Sequence, residues 1–529
     1  MPTIDTPTGF RPIADRAVTN DSTIRFRAGL AGAVAAGLAL GLTELAAGVF
    51  SRVPSAIAAV GAIIVDWSPG FIERFAIRTF GTADKGALAI GTVLIAVVAG
   101  FLIGRISLRR PWVAVAAFGL FGLAGVIAGL RAPLVSGPGT VATVVVSVLI
   151  SWMVLWAAHR MLAVPEPETP TDGLPADPGR RQFAAVVAGA GVAGLVGGYV
   201  GRTMIIDRSE RVREATGLPL PGDRIAPPGS ENFFVVDDLE QIVVSNEDFY
   251  RIDSALTVPR PNPESWKLKI TGLVDREVEF SLDDLLAMDL HERYVTIACV
   301  SNRVGGDLVG NAKWTGVRLV DLLDRAGVKP ESTQIVGRSV DGWTAGFRTE
   351  LVFDGRDPLL AVGMNGVPLP ARHGFPARLI VPGLYGYVSA TKWIEEIELT
   401  RWEDFDGYWI PRGWAKSGPI KTQSRIDTPG RREVPGNPAV LAGVAWAPLK
   451  GIERVEVRID DGIWQEAELT TPLSDAAWVQ WKLEVPLASG SHNADVRATD
   501  GEGETQTEVR SRPDPDGATG WHRVSFRVA

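Results

Sequence analysis

Five long apolar runs, at residues 28–50, 86–104, 111–130, 139–161 and 183–206, constrain this 529-residue chain more than any other feature. A helix that crosses a bilayer needs about 20 predominantly apolar residues. The runs 111–130 and 183–201 carry no charged residue, and 28–50 carries only Glu44. One small soluble core cannot hide five such helices, so residues 28–206 are expected to form a five-span helical transmembrane bundle behind a cytoplasmic tail, 1–27. A shorter run, Ala56 to Val65, cannot cross and is expected to be re-entrant or interfacial. Glu44 sits near the end of its run, within reach of the headgroups, which favours a structural or interfacial role.

Loop charges orient the bundle. With the N-terminus cytoplasmic, the inner loops hold Arg11, Arg16, Arg25, Arg27, Arg105, Arg109, Arg110, Arg160, Arg180 and Arg181, against Arg52, Arg74, Arg78, Lys85 and Arg131 outside. The positive-inside rule favours this arrangement, and an odd number of spans then places everything after residue 206 outside the cytoplasm. The expected location is therefore the plasma membrane, multi-pass, with membrane lipid as one partner. Arg180 and Arg181 precede a Gly/Ala-rich stretch, Ala184 to Val200, in a pattern that resembles an internal twin-arginine export signal. An ordinary topological flank is the alternative.

Charge and cysteine content exclude several classes. Residues 1–206 hold 16 Lys and Arg against 11 Asp and Glu, whereas the remainder holds 37 against 50, an acidic balance that argues against nucleic acid. The single cysteine excludes internal disulfides, Cys-based iron–sulfur clusters and multi-Cys zinc sites. His159 is the only histidine of the membrane half, so bis-histidine haem ligation within it is excluded too.

Residues 207–232 read as a linker because Pro219, Pro221, Gly222, Pro227, Pro228 and Gly229 interrupt regular structure. From 233 to 425 the pattern is α+β. Trp266 to Ile270 alternates as a strand, Ser281 with Asp284 caps a short helix, and Leu319 to Ala326 forms another helix that stops at Gly327. The sole cysteine, Cys299, ends a strand, Arg293 to Cys299, with Val295 and Ile297 on its own face. A lone cysteine is usually a small buried hydrophobe. At a strand end facing the glycine-rich loop 300–306, however, a soft thiolate can serve as a metal ligand if other donors complete the sphere.

Three ordered blocks surround that cysteine: Thr296 to Asn302, Trp314 to Leu323 with Met364 to Pro370, and His373 to Gly383 followed by Tyr385, Gly386 and Thr391 to Trp393. Together they resemble the sulfite oxidase family of molybdenum enzymes over much of 233–529. The resemblance implies molybdenum–molybdopterin as cofactor, Cys299 as the metal ligand, and His373, Arg378 and Lys392 as holders of the pterin and its phosphate. It further implies cofactor contacts from Tyr250, Arg251 and Asp341, with Asn302, Arg303 and Tyr408 at the catalytic centre. Family members that oxidise sulfite tend to carry two arginines after the Asn; here Arg303 is followed by Val304. With one cationic donor missing, the expected substrate widens from sulfite to a sulfoxide, an N-oxide or another small oxygen-atom donor or acceptor.

Residues 426–529 read as an immunoglobulin-like β-sandwich, from alternation at Val455, Val457 and Ile459, at Val479 to Val485 and at Val524 to Val528. Its position resembles the family's dimerisation domain, which implies a possible homodimer. No chemistry is expected of it, and His492 and His522 are expected to be solvated. The whole reads as a membrane-anchored molybdopterin-dependent oxidoreductase acting on a small molecule outside the cytoplasm. Electrons would pass to an external carrier, whether a cytochrome, a quinone or a membrane partner. The alternative is a cofactor-free surface protein that binds through its β-sandwich.

Overall fold

The computed structural model describes residues 13–68, 72, 79, 84–132, 135–162 and 178–529, save 223, 256, 431–432 and 435–437. The chain divides into two compact units, Met1–Arg208 and Ser209–Ala529.

In the first unit the helices are α1 (Ile13–Val49), α2 (Ala56–Trp67), α3 (Asp84–Ser107), α4 (Pro111–Arg131), α5 (Gly137–Leu162) and α6 (Pro178–Thr216). Five contain stretches long and apolar enough to cross a membrane: Ser22–Val49, Lys85–Ser107, Pro111–Arg131, Gly137–Leu162 and Arg181–Ile206. Large apolar side chains such as Ile95, Leu120 and Leu195 point outward, as they would toward lipid. Arg11, Arg74 and Arg78, part of the loop-charge argument, lie outside the described residues.

Small residues bring these helices together. A β-carbon on Gly32 of α1 would lie 2.1 Å from the Gly100 carbonyl oxygen of α3, and one on Gly41 would lie 2.0 Å from that of Gly194 on α6. Where lipid is as apolar as any side chain, such close backbone approach is what drives helices to associate. Glu44 acts locally. Ser55 Oγ donates to its carboxylate at 2.6 Å and the Ile57 N–H at 3.3 Å, so it closes the first turn of α2.

Helix α6 runs on to Thr216, ten residues into the stretch read as linker. The reason is local: no glycine or proline interrupts 207–216, and the helix stops where Gly217 (φ +68°) and Pro219 follow.

The second unit begins with one mixed sheet, in which β1 and β10 run parallel, and one antiparallel sheet. One has the order β2-β1-β10-β5-β6, from β1 (Lys267–Gly272), β2 (Val278–Ser281), β5 (Gln334–Ser339), β6 (Thr344–Arg348) and β10 (Ile394–Thr400). The other runs β3-β4-β7-β8, from β3 (His291–Ala298), β4 (Val309–Arg318), β7 (Leu359–Met364) and β8 (Val367–Pro368), with β9 (Arg378–Ile380) also paired to β7. The capped helices form as the sequence implies. Helix α7 (Leu282–Leu286) has Ser281 and Asp284 in a reciprocal capping box, and α8 (Leu319–Ala326) ends at Gly327 with φ +73°.

The C-terminal segment forms two further sheets around one apolar core. The first is ordered β11-β13-β17-β16, from β11 (Gln423–Thr428), β13 (Ala439–Trp446), β16 (Glu468–Leu469) and β17 (Val479–Val485). The second is ordered β12-β19-β18-β14-β15, from β12 (Glu433–Val434), β14 (Ile452–Ile459), β15 (Trp464–Glu466), β18 (Gly490–Asp500) and β19 (His522–Val528). Val455 and Val457 are fully buried on alternate positions of β14, as their spacing implies.

Replacing Gly32 by leucine should force α1 and α3 apart at a cost of about 1–3 kcal/mol. The expected result is a lower apparent melting temperature of the detergent-solubilised protein, read by scanning fluorimetry; an unchanged transition would count against this helix contact.

Candidate active site

Alternation along β3 predicts one buried face, but Tyr294 to Ala298 are all buried. It is an edge strand, and its free edge is covered by a segment of the C-terminal β unit. Thr296 donates its N–H to Ala476 O at 2.9 Å, Trp478 N–H bonds Thr296 Oγ1 at 2.8 Å, and Ser474 Oγ bonds Tyr294 O at 2.5 Å. Covering an edge in this way satisfies its backbone and fixes its end.

Cys299 sits at that end. Its N–H donates to Leu308 O at 2.9 Å, closing the loop 300–307 at its base, and Asn302 reinforces the closure by accepting the Leu308 N–H at 3.0 Å. Ser301 N–H points at the sulfur, 3.4 Å away. Burial pushes the Cys299 thiol above its usual range, and Ser301 offsets this only in part. A thiolate at this position therefore calls for a cationic partner, which is what a metal provides.

A second set of groups comes from the other side. Arg378, at the start of β9, is buried; its Nη1 donates to His373 O at 3.0 Å and its guanidinium lies 4.9 Å from the centre of the Trp314 ring. Its Nε has no hydrogen-bond partner, and among the described residues no carboxylate pairs with it. Burial holds its pKa down to about 10, so it stays charged at neutral pH. His373 donates from Nε2 to Asn246 O at 2.8 Å; burial, with Arg378, Arg372 and Arg251 nearby, pushes its pKa down to about 3 and leaves it neutral. Phe249 sets its ring edge-to-face with both Trp314 and His373, each at 5.7 Å, and so seats the adjacent Tyr250. The Tyr250 phenol is pushed up chiefly by burial, with Cys299 adding to the rise and Arg378 opposing it.

Lys392 differs from Arg378. It pairs with Asp253, whose side chain is 2% exposed, and donates to Ile252 O at 3.0 Å; Arg251 reaches the same carboxylate at 3.0 Å. Asp253 thus ties two expected cofactor contacts together. The only sequence signal for it is its place two residues beyond Arg251 in the same short segment.

Other expected residues are placed differently. Asp341 lies in the β5–β6 turn, where its carboxylate accepts the Trp343 N–H at 3.1 Å. Arg303 is exposed on the loop after Cys299. Tyr408 donates its N–H to Thr344 O at 3.0 Å and has the Arg412 guanidinium 3.7 Å from its ring centre. Tyr385, to which no sequence pattern assigns a role, is buried just before α9 (Gly386–Ser389), and its pKa is pushed up to about 12 by burial, with Asp516 and then Cys299 adding to the rise. Neither histidine expected to be solvated is so: His492 is half-buried, its ring held between Asp460 at 2.6 Å and Ala488 O at 2.9 Å, and His522 is half-buried too. It accepts the Ile426 N–H at 3.0 Å, and burial holds its pKa down to about 4.

The family model described as the oxidoreductase molybdopterin binding domain matches residues 255–409. The protein named uncharacterized oxidoreductase YuiH of Bacillus subtilis is 36% identical over 153 residues, which are 29% of this chain and 74% of that one. The chain belongs to the sulfite oxidase family of molybdopterin-binding oxidoreductases. Mitochondrial sulfite oxidase of Rattus norvegicus is 29% identical over 342 residues, covering 55% of this chain and 62% of its own. That of Drosophila melanogaster is 31% identical over 304 residues, 48% and 52% respectively. The chain thus spans between half and two thirds of the length of these curated relatives. Among solved structures, the sulfane dehydrogenase SoxCD of Paracoccus pantotrophus superposes with a TM-score of 0.49 at 24% identity, covering 54% of this chain and 82% of that one.

The cofactor of such a domain is molybdenum–molybdopterin. The residues present fit it. A desolvated guanidinium without a counter-charge costs several kcal/mol, on the order of 3–5, and a phosphate would supply the missing charge to Arg378. The buried Thr391 hydroxyl, beside Lys392, is also without a hydrogen-bond partner. Cys299 would supply the metal ligand, and His373, Arg378 and Lys392 the contacts to the organic part.

Arg378→Gln should therefore lower molybdenum per purified chain several-fold while the turnover per bound metal changes little, as measured by elemental analysis beside activity. Full occupancy with lost turnover would instead place Arg378 at the substrate. Acidification gives a second check. His373 and His522 stay neutral in the fold, so below about pH 6.5 the unfolded chain binds more protons, and stability should fall by roughly 1.4 kcal/mol per pH unit for each until the folded values are approached. Melting temperatures between pH 7 and pH 5 should drop less in His522→Gln than in the unsubstituted protein.

Proposed function

We propose that this chain is a membrane-anchored molybdenum oxidoreductase that moves one oxygen atom and two electrons to or from a small substrate on the extracytoplasmic side. The observation that carries the reading is the buried Arg378, which packs against Trp314 and the His373 carbonyl and pairs with no carboxylate among the described residues. A cofactor-free binding protein would leave that charge buried without a counter-charge.

When bound, the cofactor supplies the redox and oxygen-transfer chemistry, and the protein supplies ligation, orientation and electrostatics. Cys299, desolvated and fixed by the Leu308 and Ser301 bonds, presents its sulfur in one direction. His373, neutral with its proton held on Nε2 by Asn246, adds no positive charge beside Arg378. Tyr250 and Tyr385, their phenol pKa values pushed up chiefly by burial, keep their protons at neutral pH. Arg303 offers one cationic donor on the adjoining loop. One such donor suits a neutral sulfoxide or N-oxide at least as well as dianionic sulfite.

The same reading takes the C-terminal two-sheet unit as immunoglobulin-like and suited to homodimerisation, and assigns electron exchange to an external carrier. It also takes Arg180 and Arg181 as part of a signal for exporting the folded, loaded domain. Support comes from the need to load a cofactor before a folded domain crosses a membrane, and from the low apolarity of the span that follows.

Cys299→Ser should abolish turnover with sulfite, dimethyl sulfoxide and trimethylamine N-oxide alike, since serine is a harder and far less acidic ligand. Activity equal to that of the parent would remove the assignment. Exchanging Arg180 and Arg181 together for lysine preserves charge, and should leave the catalytic domain protected from protease added to spheroplasts. Digestion as rapid as in the parent would make the pair an ordinary flank.

A further inference from the structure

The loop that follows Cys299 is closed at its base by its own domain, but its tip is held by the C-terminal β unit. Gly305 has φ +75°, and a β-carbon there would stand 2.2 Å from both Cδ2 and Nε2 of His522. The imidazole edge thus occupies the space that a side chain at 305 would need. The ring cannot swing away freely, because its Nδ1 accepts the Ile426 N–H at 3.0 Å. One residue along, the Gly306 carbonyl accepts from Arg425 Nη1 at 3.1 Å. Arg425 is itself buried and anchored, by Asp427 at 2.5 Å and Glu240 at 3.2 Å. Gly306 in turn donates its N–H to Arg303 O at 2.8 Å, so a grip on Gly306 is transmitted to the backbone of Arg303.

We propose that His522 and Arg425 are positioning residues: by clamping Gly305 and Gly306 they fix the loop 300–308, so that the C-terminal β unit governs both access to Cys299 and the placement of Arg303. This rests on the reading of Cys299 as the reactive ligand. It adds that the β unit is part of the active site's construction. Two independent contacts converge on adjacent residues, one steric and one a charge-assisted hydrogen bond, and both come from residues already held by other bonds. Neither grip would work from a mobile side chain, because the ordering entropy would then be lost at the loop.

Cys299 is the only cysteine in the chain, so its alkylation by N-ethylmaleimide reports the loop directly. The full-length protein, purified in detergent from a host unable to make the cofactor, is the material. His522→Ala should raise the alkylation rate about tenfold, the signature of a locally opened loop. Gly305→Ala should raise it as well, since its methyl meets the ring. The pair Gly305→Ala with His522→Ala should be no faster than His522→Ala alone, because the clash has gone. His522→Gln, which keeps an acceptor for Ile426, should lie close to the unsubstituted protein. Rates in His522→Ala within twofold of the parent would overturn the clamp, as would effects of the two substitutions that multiply fully. If His522→Ala fails to accumulate, Gly305→Ala alone makes the test, and a rate within twofold of the parent would overturn the clamp. A parent protein that never binds molybdenum would sink the proposed function and leave this thiol measurement standing.

Discussion

Everything at the site depends on β3 being held from both sides. Strand β4 pairs with it across eight register positions, from His291 opposite Gly316 to Ala298 opposite Val309. On its other edge the segment 474–478 bonds the backbone and hydroxyl of Thr296. Trp478 then buries its ring in the core of the preceding domain and donates to Ile242 O at 2.9 Å. A cysteine one residue beyond a strand fixed in this way has little freedom, which is what a ligand must have if its metal is to be bound in one geometry.

Charge is distributed around Cys299 unequally, and the inequality has meaning. Lys392 and Arg251 share the buried carboxylate of Asp253, so their charge is satisfied within the protein. Among the described residues Arg378 has no such partner, and the face of Trp314 and one carbonyl receive it. A cation–π contact is worth about 2 kcal/mol when desolvated, less than burying an unpaired guanidinium costs. The deficit points to an anion completing the site, in keeping with a family whose cofactor carries a phosphate.

The membrane half is held together by a different force. Its helices approach through glycine pairs such as Gly32 with Gly100 and Gly41 with Gly194, where backbone packing replaces the hydrophobic effect. Its buried carboxylate, Glu44, closes the start of a short apolar helix, and so carries local structure and no evident chemistry.

The sequence by itself determined the parts governed by local periodicity and chemistry. The five apolar runs, the capped helices at Ser281 and Gly327, the alternating strands and the cysteine at a strand end follow from residue order, because apolar spacing and capping act over a few residues. The family resemblance added His373, Arg378 and Lys392, and the structure shows Arg378 and His373 directly bonded and Lys392 paired across the bridge to Arg378. Only the tertiary structure decided what crosses long stretches of chain. Asp253 became the shared partner of Arg251 and Lys392, Tyr385 came into the field of Cys299, and His522, whose polar strand-edge context implies solvation, was driven into the space above Gly305. Asp253 with Lys392, Tyr385 with Cys299, and His522 with Gly305 are each far apart in the chain, and local patterns do not pair them. Their meeting is set by how sheets close around a common core, where burial and unsatisfied hydrogen bonds choose the neighbours.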